Sequence, residues 1–300
     1  MALGYYVGCM LGKKIAVIIL LISSCLTYFI FFAKPSSKQQ VAVNLIWHDK
    51  TLNCQSTFDP KKRGEAWFIE QLQFFISEIE VEVSGKGWQQ LKLIDNPYQT
   101  AGTVLLGTNC RDQQAQVNSE KMGSWLIEFD NNIDISKVAL MRFMLAVPFA
   151  SNHLNPVSQE SPLNVPSMFW VWQTGHKFLR AELASVNEQW IFHLGSTGCK
   201  ASSVMRAPEQ ACRYPNTFKF EIAIAKGSGE ALTLNLNLAE LIKNVELTQT
   251  TSCQSERDNE SCQQLFKNLS AYKEVPNSGE ASRLFSITKA DSITQGIGVE

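Results

Sequence analysis

Histidine is scarce in this chain, four in 300 residues, and charged residues are few, at 18%. A chain with so little charge and no basic stripe lacks the electropositive surface that nucleic-acid binding needs. Several signatures of chemistry are also missing. There is no GxSxG elbow, no HExxH pair, no glycine-rich phosphate loop and no EF-hand loop. There is no CxxC spacing, which argues against a thiolate metal site. No internal repeat, heptad or low-complexity run occurs, and no acid precedes Asp49.

What is present begins with a hydrophobic run. Lys13 and Lys14 lead into IAVIILLISSCLTYFIFFA, residues 15–33, with no charge inside. A helix rises 1.5 Å per residue, so this run matches a bilayer core of about 30 Å. The two lysines ahead of it favour a cytoplasmic start, which places the rest outside. The expectation is an inner-membrane anchor with a periplasm-facing ectodomain. Two processed alternatives stay open: a cleaved signal peptide, or a lipoprotein acylated at Cys25 after Ile22-Ser23-Ser24. Lys13, Lys14 and Lys34 flank the segment, leaving 24 of the 27 basic residues against 28 acids beyond it.

Export gives the cysteines a meaning. Beyond Cys9 and Cys25 there are six: Cys54, Cys110, Cys199, Cys212, Cys253 and Cys262. An even number in an oxidising compartment reads as disulfides, with 15 pairings possible. Short loops favour Cys199–Cys212 and Cys253–Cys262, leaving Cys54–Cys110.

The chain divides into a cytoplasmic stub and anchor (1–34), a polar linker (35–40), a β domain (41–250) and a disulfide-pinned, loosely ordered tail (251–300). Within the domain, strand-prone runs cover 41–47, 67–83, 89–94, 103–106 and 125–135 with a break at Asn131-Asn132, and 138–147 suits a central strand or a short helix. Further runs cover 167–184, 189–194, 217–225 and 231–238, and 238–247 suits a helix. Short strands at regular spacing with polar turns point to an all-β fold, a β-sandwich.

Three histidines, His153, His176 and His193, fall close together with Trp170, Trp172 and Trp190. Read as a strand, MFWVWQ puts Trp170 and Trp172 on one face, with His176 to follow on it. Paired tryptophans are usually core and lone histidines usually structural, so composition alone stops at an exported β domain with disulfides. A Ser/His hydrolase requires an acid that orients His193 toward Ser196.

Asn152-His153, Pro162-Leu163-Asn164, Met168 to Gln173 and Lys177-Phe178-x-Arg180 occur in one order. They are followed by His193 to Cys199, then Cys212 and Pro215-Asn216, with weaker blocks at 71–80 and Cys110. This series resembles the core signature of the MbnP-like proteins, also described as the metallo-mystery-pair four-cysteine-motif family. The resemblance implies a periplasmic copper-binding β domain that is not itself an enzyme. It implies a di-haem cytochrome c peroxidase/MauG-like (MbnH-like) partner that oxidises a tryptophan to kynurenine. Carried over by position, His153 and His193 are the metal ligands, with His48 and His176 as further candidates. Trp170 and Trp172 are the candidates for oxidation. The alternative is a metal-free envelope interaction or scaffold module, with the tryptophans as core.

Overall fold

Fifteen strands and three short α-helices form among the residues described by the computed structural model, 38–62, 64–111, 123–224, 231–270 and 284–290. In chain order the first nine strands are β1 (Gln39–Trp47), β2 (Lys50–Thr51), β3 (Thr57–Phe58), β4 (Trp67–Val83), β5 (Gly87–Gln90), β6 (Gln99–Thr100), β7 (Thr103–Asn109), β8 (Gly123–Ser124) and β9 (Leu126–Phe129). Then come β10 (Val138–Leu145), α1 (Phe149–Asn152), β11 (Lys177–Ala184), β12 (Gln189–Gly195), β13 (Phe218–Ala223), β14 (Ala231–Asn237), α2 (Leu238–Leu241), α3 (Glu260–Ser270) and β15 (Phe285–Ala290). The expected anchor at 15–33 lies outside the described residues. Among those described, no helix is long and apolar enough to cross a membrane.

The 17-residue β4 organises the larger sheet. Along one edge it pairs first with β11, through Phe68 to Phe74, and then with β10, through Ile76 to Val83. Along the other it pairs in turn with β3, β7 and β5. β12 extends the sheet beyond β11, and β13 beyond β10. The smaller sheet runs β15-β14-β1-β2, with β9 also on β1, and β1 lies parallel to β14. Such a parallel pair needs a long crossover, which the larger sheet supplies.

The inner faces of the two sheets meet around Phe285 of β15. Its ring lies 6.2 Å from Phe74, 5.1 Å from Phe143 and 4.8 Å from Phe220, centroid to centroid. All four rings are fully buried, and each contributes roughly 1.5–3 kcal/mol of transfer free energy. The expected β-sandwich is therefore present at the level of strand-rich, face-packed sheets.

The middle of β4, Gln71 to Ser77, is buried on both faces. Leu72, Phe74 and Ile76 point into the sandwich; Gln71, Gln73, Phe75 and Ser77 point out of it. That outer face is covered by the segment between β10 and β11. Ser77 Oγ donates to Ala146 O at 2.9 Å, and the Phe75 ring stacks edge-on against His176.

Two expectations are corrected. Residues 167–184 do not form one strand. Pro166–Met168 is a 3-10 turn, Gly175 takes φ +79°, and the chain folds back so that Phe169 bridges His176. Trp170 and Trp172 therefore sit in a turn, and strand alternation does not place them. The loosely ordered tail is the second. Residues 260–270 form α3, with Cys262, Leu265, Phe266 and Leu269 buried at helical spacing, and 285–290 form β15 on the edge of β14. Apolar periodicity in a polar stretch is enough to dock both. The strand expected from 41 starts at Gln39, and the helix expected over 238–247 is only Leu238–Leu241.

Candidate functional site

The outer face of the larger sheet carries a row of polar side chains where an apolar row would be ordinary. Strand pairing sets Gln73 opposite Arg180 and Arg180 opposite His193; Gln71 lies opposite Glu182. Directly opposed residues share a face. Gln71, Gln73, Glu182 and His193 are all buried, so each must find a partner or shift its ionisation.

Glu182 is the centre of this group. Its Oε1 accepts from Arg180 Nε at 2.5 Å and from His193 Nε2 at 2.8 Å, and Oε2 pairs with Arg111 at 2.8 Å. Arg111 also pairs with Glu70. Burial alone would raise the Glu182 ionisation. The hydrogen bonds from His193 and Arg180, with the Arg180 and Arg111 charges, outweigh it and hold the carboxyl at about 2. Burial pushes the His193 imidazole down, against the pull of Glu182. Lys177, at the start of β11, is driven down to about 8 by burial and by Arg180; it donates to Ser167 O and Phe169 O.

A second network is built on Asn152, at the end of α1. Asn152 Oδ1 accepts the His176 backbone N–H at 2.7 Å, which fixes the amide orientation. Its Nδ2 then donates to His153 Nε2 at 3.2 Å. Both His176 ring nitrogens face acceptors, Leu163 O at 2.8 Å and Asn152 Oδ1 at 3.1 Å. Full burial drives His176 down to about 4, against those hydrogen bonds. Burial also lowers His153. Gly175 is required here: a Cβ on it would lie 2.5 Å from Asn152 Oδ1, and its φ is positive.

The two tryptophans divide between these networks. Trp172 Nε1 donates to His153 O at 2.8 Å. Trp170 packs against Gly195, where a Cβ would come within 2.5 Å of its Cζ3. Gly195 is two residues beyond His193 on the same strand face, so Trp170 neighbours the Glu182 group. The chain from Gly195 to Cys199 links the two networks. Cys199 is bonded to Cys212, whose Sγ is 3.6 Å from His153 Nε2.

All three disulfides favoured by loop length are formed: Cys54–Cys110, Cys199–Cys212 and Cys253–Cys262. His153 with Cys199 and Cys212, and Glu256 with Cys253 and Cys262, are clustered closely enough to suggest metal ligands. The cysteines of both clusters are disulfide sulfurs with no thiolate to offer.

His48 belongs to neither network. It is exposed at the turn between β1 and β2, on the smaller sheet, with φ 54° and its ring against Trp47. The Ser196 hydroxyl donates to Pro215 O, so the carboxylate that does approach His193 is not part of an assembled Ser-His-acid set. The residues that sequence reasoning missed are Glu182 and Arg111; Asn152, Lys177 and Arg180 enter it only as parts of a motif. Charged residues at 180 and 182, alternating with apolar neighbours inside a strand, are the signal that could have found this face.

Two buried nitrogens have no hydrogen-bond partner among the described residues: Nδ1 of His153 and Nδ1 of His193. Buried polar atoms are rarely left so. Neutral imidazoles beside indoles form a donor set suited to a nitrogen-seeking metal such as copper. His193 offers its free nitrogen directly; the lone pair of His153 is engaged by Asn152, and both nitrogens of His176 are engaged.

The MbnP family model matches residues 36–255. Among solved structures the chain is similar to MbnP from Methylosinus trichosporium, with TM-score 0.66 and 18% identity, covering 85% of this chain and 99% of that one. That likeness shows a shared fold. Comparison with curated proteins finds no match. Since the family model spans well over half of the sequence, the chain belongs to the MbnP family.

Proposed function

We propose that this protein is a periplasmic copper-binding protein, anchored by residues 15–33, and the substrate of a di-haem MauG/peroxidase-like partner that converts one tryptophan to kynurenine. It is not itself an enzyme in this reading. The observation that carries it is the buried, partnerless Nδ1 of His193, in the group that Trp170 neighbours, with His153 beside Trp172.

His193 would hold copper through Nδ1, and His153 through Nε2 once Asn152 Nδ2 releases it. Burial keeps both rings neutral at neutral pH, the form that ligates. Bound copper supplies a site that imidazole and an aryl amine can fill together. In the conversion, oxygen is added across the indole C2–C3 bond, which breaks. Hydrolysis then releases C2 as formate and leaves the former indole nitrogen as an aryl amine. The partner supplies the oxidising equivalents. Trp170 is the better placed of the two. Its indole nitrogen makes no hydrogen bond among the described residues, whereas that of Trp172 is engaged with His153 O.

A second reading, a metal-free interaction module, is supported by exposed apolar side chains around the same region: Phe149, Leu154, Val171 and Val204. Peptide mass spectrometry on protein taken from its native host separates the two. A kynurenine mass at Trp170 or Trp172 supports the copper reading. Intact tryptophans at both positions, in cells that express the di-haem partner, leave the interaction module.

A further inference from the structure

We infer that Glu182 is a positioning residue that locks His193 as the Nε2–H tautomer, so that the lone pair of Nδ1 is the one presented for coordination. The argument starts from what a carboxylate can do. Bonded by Arg180 Nε at 2.5 Å and paired with Arg111 at 2.8 Å, the Glu182 carboxylate faces donors and only accepts. The atom 2.8 Å away, His193 Nε2, must therefore donate. A neutral imidazole has one N–H, so Nδ1 is left with a lone pair, and Nδ1 is the buried nitrogen without a partner.

The carboxylate is held in turn. Arg180 Nε shares Oε1, Arg111 pairs with Oε2, and Arg180 donates a further bond to Ser167 O at 2.7 Å. The carboxyl plane and the ring behind it are thus set by the sheet. A carboxylate behind a ligating histidine fixes ring orientation and raises basicity, and its loss typically costs roughly 10–100-fold in metal affinity. His153 is held the other way. An amide N–H donates to its Nε2, which leaves the proton on the partnerless Nδ1. The two imidazoles are therefore distinguishable by where their proton sits.

This inference rests on the copper reading only for its consequence. The tautomer itself is measured without metal. Nitrogen-15 NMR of the full, metal-free chain labelled at histidine has four imidazoles to resolve, and His193→Gln assigns one of them. The expected result is His193 protonated at Nε2 and His153 at Nδ1. A proton on His193 Nδ1 overturns the inference.

Copper(II) titration of native-host protein gives the second readout. Glu182→Gln keeps the side-chain shape but removes the obligate acceptor. It should mix the two tautomers of His193 and weaken copper binding roughly 10–100-fold. Glu240→Gln, which removes a carboxylate on α2 paired with Lys243, should change neither. Unchanged affinity in Glu182→Gln overturns the positioning role, as does equal weakening in Glu240→Gln with an unaltered tautomer. An Nε2–H tautomer in a wild-type chain that takes no copper supports the tautomer assignment and ends the copper reading.

Discussion

The outer face of the larger sheet holds two histidine networks, one backed by a carboxylate and the other by an amide. Glu182 turns His193 into a donor of an electron pair; Asn152 turns His153 into a donor of a proton and, together with Leu163 O, closes off His176. Both are buried and both pass beside a tryptophan. The lesson is that burial and ring proximity do not decide what a histidine offers. The group behind the ring decides it.

The largest break in this comparison comes from Glu182→Ala. It leaves the buried His193 and the partly buried Arg180 without their shared acceptor, and should lower stability by about 3–5 kcal/mol in urea unfolding. A loss under about 1 kcal/mol would mean that the carboxylate does not organise that half.

Acid titration separates the halves next. The folded chain keeps His176 neutral down to about 4, while the ring in the unfolded chain titrates near 6.5. Between those values the unfolded chain binds the extra proton, so stability falls as pH drops from about 6.5 to about 4. The loss from this ring is on the order of 3 kcal/mol. His153 and His193, also lowered, act in the same direction. Glu182 moves from 4.5 unfolded to about 2 folded, so its contribution is present above 4.5 and is lost between there and about 2. The amide-backed half should therefore weaken first. His176→Gln should flatten the upper limb of a stability–pH curve and leave the lower one; an unchanged upper limb would remove His176 as its source.

Gly195→Ala tests the junction between the halves. The added methyl meets Trp170 Cζ3 at 2.5 Å and His176 O at 2.7 Å. Relief requires both the indole and the backbone at His176 to shift, at about 1–3 kcal/mol or more. Trp170 fluorescence should change while the Trp172–His153 contact persists. The smallest effect is expected for Arg111→Gln, under about 1 kcal/mol, because this side chain is 46% exposed. A larger loss would mean that this rim pair contributes more than its exposure allows.

Much of this architecture could be read from residue order. The strand-prone runs at 67–83, 189–194 and 231–238 mark strands that do form, and in the last of them burial alternates with period 2, a local property. The pairing of cysteines followed loop length. The tryptophan turn was hidden because aromatic residues look strand-like, while Pro166 and the left-handed Gly175 reverse the chain there. α3 was masked by a polar composition, although Cys262, Leu265, Phe266 and Leu269 have helical spacing. The histidines could be named as candidates, but their division into two networks could not. That depends on Glu182 and Asn152, which meet them only through sheet register and a turn.

The parallel pair β1–β14 sets an order of assembly. Every strand of the larger sheet has been made by Ala223, whereas Asn44 must wait for Asn235, 191 positions later, and β15 comes later still. As the chain lengthens from its first residue, Val41, Val43 and Leu45 are among the earliest apolar side chains of the domain to emerge and among the last to be covered. Long-range closure of this kind is slow, and an unpaired strand edge invites other chains. A chain stopped short of residue 231 would thus carry the strands of the larger sheet without β14 and β15, and with them would lose Phe285 from the centre of the core.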